Sequence, residues 1–144
     1  MKTAETFAEL SHARRLHVGA IVVKDDRIIS IGYNGMPAGW DNNCEDESVE
    51  LYSGYEGAIH RTVLKTKPEV LHAETNAIAK LARSSDSGLG SDIFITHAPC
   101  LDCAKLIYQS GIKRVFFGEA YRDDSGIKFL KASGVDVEQI EKDS

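Results

Sequence analysis

Cysteine is scarce in this chain: three residues in 144, an odd number. A small oxidised scaffold needs an even and denser set, so a disulfide framework is excluded and a reducing compartment, the cytosol by default, is expected. No apolar run approaches the roughly 18–20 residues needed to cross a bilayer. The first ten residues, MKTAETFAEL, are polar and carry no apolar core, so no signal peptide is expected there. Basic charge is also in short supply. With a formal net charge of −5, the chain lacks the positive surface of a protein that tracks long DNA or RNA. A small anionic ligand stays open, because it needs only a local cluster of donors. There are no internal repeats and no low-complexity linkers.

What is present is ordinary globular material, 42% apolar and 27% charged. A chain of this size buries roughly 68–70% of its unfolded surface, enough for one self-sufficient core, so a single domain over 1–144 is expected. Phe7, Leu10 and Leu16 sit near helical spacing, which predicts a first helix over about residues 3–13. Val18–Val23 and Ile28–Ile31 are β-branched runs around the turn KDDR, the pattern of a hairpin. Residues 36–69 are the least regular stretch and read as a long functional loop with a short helix in its second half. Ala73, Ala77, Ile78 and Leu81 mark the next helix, and DIFIT the next strand. A helix from Cys100, with Leu106 and Ile107 facing the core, leads to the strand IKRVFFG. A last helix ends at Gly134 before VDVEQI. Helix–strand repeated three times after a hairpin predicts a mixed five-stranded sheet with one antiparallel hairpin and helices on both faces, a three-layer α/β/α arrangement.

Two of the three cysteines stand in HAPCLDC, at the start of a predicted helix. A C-x-x-C pair is half of a structural zinc site, a redox pair, or two ligands of a catalytic metal. Cys44 stands alone, so a second pair is missing. The remainder of the chain supplies His72 at the start of another predicted helix, with Glu74 two residues on. Helix N-termini favour anions, so both thiols should ionise readily there. If the two helix starts converge at one sheet edge, one imidazole and two sulfurs hold Zn²⁺ with a fourth position open, the pattern of a catalytic site. Glu74 lies about 200° around the helix from His72 and reaches the site over the helix end, as a proton carrier rather than a ligand. Two thiolates cancel the formal charge of the metal, so a general base is still required. H-x-E followed by P-C-x-x-C is the signature of the zinc nucleobase deaminases, here His72-Ala73-Glu74 and Pro99-Cys100-Leu101-Asp102-Cys103.

From about Leu16 to Val137 the chain resembles the deoxycytidylate (dCMP) deaminases, within the cytidine deaminase-like superfamily. The segments that carry the likeness are VGAIVVKDDRIISIGYNGMPAG, HAETNAI, APCLDCAKLIYQSGIKRVFF and the tyrosine after the fourth strand. The resemblance implies a cytidine deaminase-like fold and the conversion of dCMP to dUMP with release of ammonia. It implies a homohexamer, activated by dCTP and inhibited by dTTP, with Mg²⁺ expected to accompany a triphosphate effector, while the net charge and the lack of a long apolar run predict no nucleic-acid polymer and no membrane as partner. Position by position, it implies His72, Cys100 and Cys103 as zinc ligands and Glu74 as the proton shuttle. Asn34, Ala73 and Tyr121 are implied at the substrate. Gly32, Tyr33, Asn34 and Gly35 are implied as an effector element. Some relatives hold a second, structural zinc; here Cys44, His60, His12 and His17 are the residues available to replace its ligands. The backbone of Ala98 and Cys100 is expected beside the pyrimidine edge. Arg14, Arg15 and His17 form the nearest basic cluster for a phosphate. Trp40 is expected to pack into the core, and His97 to be a strand-end residue. The rival readings are another zinc deaminase, acting on free cytidine, guanine or tRNA adenosine, and a non-catalytic nucleotide sensor.

Overall fold

The computed structural model describes residues 1–54 and 57–141, and of residues 50–54 and 57–61 the backbone alone. Its elements run α1 (Lys2–Ala8), β1 (Gly19–Lys24), β2 (Arg27–Tyr33), β3 (Glu45–Gly54), β4 (Gly57–Thr66), α2 (Ala73–Ala82), β5 (Asp92–His97), α3 (Leu101–Gln109), β6 (Arg114–Glu119), α4 (Ser125–Ala132) and β7 (Asp136–Gln139).

Five strands form one sheet in the order β2-β1-β5-β6-β7. The expected hairpin is β1–β2. Its two-residue turn puts Asp25 and Asp26 at φ 51° and 59°, left-handed at both centres, which matches the twist of the flanking strands. β1 also runs antiparallel to β5, so the sheet has two antiparallel pairs rather than one, while β5, β6 and β7 are parallel. Alternation sorts the side chains. Ala20, Val22, Ile93, Ile95 and Val115 point to the face covered by α2, α3 and α4, and form the core with Ala77, Leu81, Ala104, Ile107 and Leu130. Gly19 points to the other face, where α1 lies so close that a Cβ would sit 2.0 Å from the Ala4 carbonyl oxygen. Gly32 plays the same part towards α2, since a Cβ there would lie 2.1 Å from the carbonyl oxygen of Ala73. Both helices therefore rest on the sheet at backbone contact.

Four further expectations need correction. The first helix stops at Ala8, not residue 13. Glu9, Leu10 and Ser11 turn with tight bonds to residues three earlier, and the Ser11 hydroxyl then accepts the Ala13 N–H, which ends the helix. The stretch 36–69 is no loop with a helix: β3 and β4 pair as a separate two-stranded sheet from Glu45↔Thr66 to Gly54↔Gly57. Charged residues interrupt the apolar alternation that marks a half-buried strand, and Val49 is exposed. Leu106 is 45% exposed, because Cys103, Ala104 and Ile107 already fill the buried stripe of α3. Trp40 is 57% exposed and packs into no core. Among the described residues no helix is long and apolar enough to cross a membrane.

Ile107 and Leu106 thus make a controlled pair. Ile107→Ala is expected to cost about 2–5 kcal/mol, and Leu106→Ala about 0.5 kcal/mol. Urea unfolding followed by circular dichroism measures both. Equal losses would contradict this assignment of the α3 faces.

Candidate catalytic and metal centre

The site is built from two helix starts. His72 is the N-cap of α2, with extended backbone and no side-chain capping bond, so its ring is free to turn towards α3. Cys100 is the N-cap of α3, and its sulfur accepts the Cys103 N–H at 3.5 Å. His72 Nδ1 lies 3.2 Å from Cys103 Sγ and 3.6 Å from Cys100 Sγ. Among the described residues these are the His, Cys, Asp and Glu side chains grouped closely enough to hold a metal ion, with all ligand atoms within 4.8 Å of one another. Zn–S and Zn–N bonds near 2.3 and 2.0–2.1 Å in a tetrahedron put ligand atoms about 3.5–3.8 Å apart, so the observed set fits zinc with little adjustment.

The expectation that both thiols ionise readily holds for Cys100 and fails for Cys103. The Cys100 thiol is pulled down to about 4 by its hydrogen bonds with the Cys103 side chain and the His72 ring. Cys103 is pushed up, first by its bond to Cys100 and then by burial. A negative charge on this pair is favoured on Cys100 and opposed on Cys103, and a coordinated cation would ionise both. His72 is raised, chiefly by its bond to Cys100. Glu74 is 4% exposed, and burial raises its carboxyl above the ordinary range. A buried carboxyl in the first turn of α2, beside the ligands but not among them, suits proton transfer near neutrality.

These groups open into a cavity of about 370 Å³ at the sheet edge where β2, β5 and β6 end. His72, Glu74 and Cys100 line it, as do three residues expected at a substrate: Asn34, Ala73 and Tyr121. Ala98, whose N–H donates to the Glu119 carbonyl at 2.8 Å, lines it too. Asn34 has a second task. Its Oδ1 accepts the Val18 N–H and its Nδ2 donates to the Leu16 carbonyl, both at 2.8 Å, which ties the segment before β1 to the cavity wall. His97 is held at both ring nitrogens, by Thr96 Oγ1 at 2.9 Å and by Glu119 at 3.3 Å.

The expected basic cluster comes apart. Arg15 lines the cavity. Arg14 is bound by Glu45 and Glu47, and His17 holds the Ala13 carbonyl at 2.7 Å and lines a different cavity. Gly32 is buried against α2, and Tyr33 lies under the Lys80 ammonium, 5.6 Å from its ring centroid. Of the residues considered for a second zinc, Cys44 donates its thiol to the Asn42 carbonyl, and the side chain of His60 lies outside the described residues. The sequence reading missed Glu45, a buried carboxylate on the cavity wall. It is embedded in the acidic run DNNCEDESVE, where nothing marks one carboxylate as the buried one.

An imidazole, two sulfurs and a buried carboxyl at a nucleotide-sized cavity define a zinc deaminase type of site. The family model for the cytidine and deoxycytidylate deaminase zinc-binding region matches residues 1–119, and the chain belongs to that family. It is 35% identical over 154 residues to the deoxycytidylate deaminase of Enterobacteria phage T4, covering 87% of this chain and 79% of that one. ComE operon protein 2 of Bacillus subtilis is 37% identical over 144 residues, covering 99% and 70%. Among solved structures, the dCMP deaminase of cyanophage S-TIM5, in complex with dCMP and dUMP, superposes with a TM-score of 0.82 at 44% identity, covering 96% and 92%.

The purified protein is expected to carry about one zinc per chain, and His72→Ala or Cys103→Ala about a tenth of that or less. Plasma mass spectrometry checks the metal content. Full occupancy in both variants would remove these residues from the metal centre.

Proposed function

We propose that this chain is a single zinc-dependent domain that deaminates dCMP hydrolytically to dUMP and ammonia, in a reducing, cytosolic setting. The observation that carries the reading is Glu74, buried in the first turn of α2 beside the His72, Cys100 and Cys103 donor set. A purely structural metal site has no use for it. The choice of dCMP among bases is supported by the 44%-identical neighbour, which is named for dCMP and dUMP.

When bound, zinc lowers the pKa of water to near neutrality and so supplies the nucleophile. Glu74 takes one proton from the attacking water and passes it to ring N3 of cytosine. The second proton of the water goes to the exocyclic amine. The C4–N bond then breaks, ammonia leaves, and the oxygen stays as the carbonyl of uracil. Burial keeps the Glu74 carboxyl easy to protonate, which suits a group that must receive and return a proton in each cycle. Of the residues that line the cavity, Ala73 and Ala98 with the Cys100 backbone are assigned to the pyrimidine, and Asn34 and Tyr121 to the sugar. Arg15 meets the phosphate, because Arg14 is already engaged by carboxylates.

Regulation by dCTP and dTTP, the latter with Mg²⁺, is assigned to the segment Gly32–Gly35. Gly35 and Leu71 exchange backbone hydrogen bonds of 3.1 and 2.8 Å, and Leu71 precedes His72. A ligand that shifts this segment thus pulls on the metal centre through one bridge. The buried Gly32 serves by its close fit to α2, leaving Tyr33, Asn34 and Gly35 for contact. The assembly is assigned as a homohexamer, in which the exposed apolar Leu101, Leu106 and Tyr108 of α3 are candidates for a subunit contact.

Ultraviolet spectra with dCMP, deoxycytidine and guanine test the reaction. Loss of the cytosine band with dCMP is expected; turnover of guanine alone would overturn the assignment. Glu74→Gln is expected to lower kcat about 10²–10⁴-fold with zinc retained. Wild-type rates in that variant would remove Glu74 from the mechanism. Separately, dCTP should raise the rate at low dCMP, and dTTP with Mg²⁺ should lower it. Rates indifferent to both triphosphates would remove the regulatory assignment.

A further inference from the structure

We propose that Glu45 is a positioning residue that sets the phosphate end of the cavity by clamping the segment Ala13–Leu16 and presenting Arg15. The inference rests on the dCMP reading above. Glu45 is 1% exposed, although every acidic neighbour from Asp41 to Glu47 is exposed. One oxygen, Oε1, accepts two successive backbone N–H groups, from Arg14 at 2.6 Å and Arg15 at 3.1 Å. Consecutive amides aimed at one anion form a nest, which fixes the backbone conformation of the segment that supplies them. The other oxygen, Oε2, accepts Arg14 Nε at 3.3 Å. Arg14 reaches on to Glu47 through Nη1, and through Nη2 to Asn43 Oδ1 at 3.2 Å and the Glu45 carbonyl at 3.4 Å. Burial disfavours the charge on Glu45, but the two amides and the Arg14 guanidinium outweigh it and hold the carboxyl below its usual range.

The consequence is a division of labour between adjacent arginines. Arg14 is neutralised and serves as part of the clamp. Arg15 has no carboxylate partner among the described residues, and its Nη1 donates only to the neutral Thr66 hydroxyl, at 3.2 Å. Glu45 opens β3 and Thr66 closes β4, and the two are directly paired in the hairpin. One holds the backbone of Arg15 and the other its side chain. The base of a surface hairpin thereby fixes a free cation on the wall of the cavity, where a substrate phosphate would need it.

Kinetics with dCMP and calorimetry with dUMP and deoxyuridine test this, on variants first shown to be folded by thermal melting. Glu45→Gln is expected to raise KM for dCMP about tenfold while kcat changes less than about threefold, since the phosphate contact binds ground state and transition state alike. Glu45→Asp should recover part of the loss. The preference for dUMP over deoxyuridine should fall in Glu45→Gln and in Arg15→Ala, and the double variant should be no worse than Arg15→Ala alone. Thr66→Val, at an exposed position, keeps the test usable if Glu45→Gln does not fold. It should raise KM about two- to fivefold in wild type and not at all in the Arg15→Ala background. Additive losses, or a loss confined to kcat, would overturn the role of Glu45. Failure of the wild type to turn over dCMP would overturn the reaction instead.

Discussion

The chemistry of this protein depends on α2 and α3 beginning within a few ångströms of one another. His72 and Cys100 each occupy the N-cap of a helix, and their ligand atoms are 3.6 Å apart. That proximity follows from the sheet. β5 hands the chain directly to Cys100 across the short link Ala98–Pro99, while α2 is pressed onto β1 and β2 where Gly32 offers no side chain. A side chain at Gly32 would lift α2 by its first turn, which holds Ala73 and Glu74. The metal centre is therefore only as well placed as the contact of one helix with one glycine.

Much of this was legible in the sequence because it is local. The hairpin, the three helix–strand units and the two ligand motifs all follow from spacing within segments of a dozen residues. The same locality explains the misreadings. Leu106 and Ile107 are neighbours in sequence and equally apolar, and only the position of Cys103 on the sulfur side of α3 decides which of them faces inward. The β3–β4 hairpin escaped because an isolated two-stranded sheet does not need a continuous apolar face. Glu45 escaped for a deeper reason. Its burial depends on amides 30 and 31 residues away, and no pattern around it in the sequence reports that.

For an acidic chain to accept an anionic substrate is an electrostatic problem, and the structure offers a partition of its charges rather than an excess of positive ones. Glu45 and Glu47 take up Arg14, and Glu119 pairs with His97. Arg15, with no carboxylate partner among the described residues, and the donor set of His72 and Cys100 line the same cavity as two poles of different chemistry. A nucleotide bridging these poles would have its phosphate and its reacting carbon fixed by groups of different kinds.

That separation bears on how substrate and effector signals would stay distinct under the proposed regulation. The Arg15 pole is held by the β3–β4 hairpin, through Glu45 and Thr66. The metal pole is joined to the Gly32–Gly35 segment, through the Gly35–Leu71 bridge. Asn34 spans both, because its backbone carbonyl accepts the Ser11 hydroxyl at 2.7 Å and its side chain holds Leu16 and Val18. A displacement of the turn that carries Asn34 therefore moves the phosphate wall and the first turn of α2 together. A displacement of the hairpin acts first on the Arg15 wall, through Glu45 and Thr66. Nucleotide regulation acting through the turn would then change turnover as well as affinity, whereas damage at the hairpin would be felt in affinity, because the hairpin has no hydrogen bond to His72, Cys100 or Cys103 among the described residues.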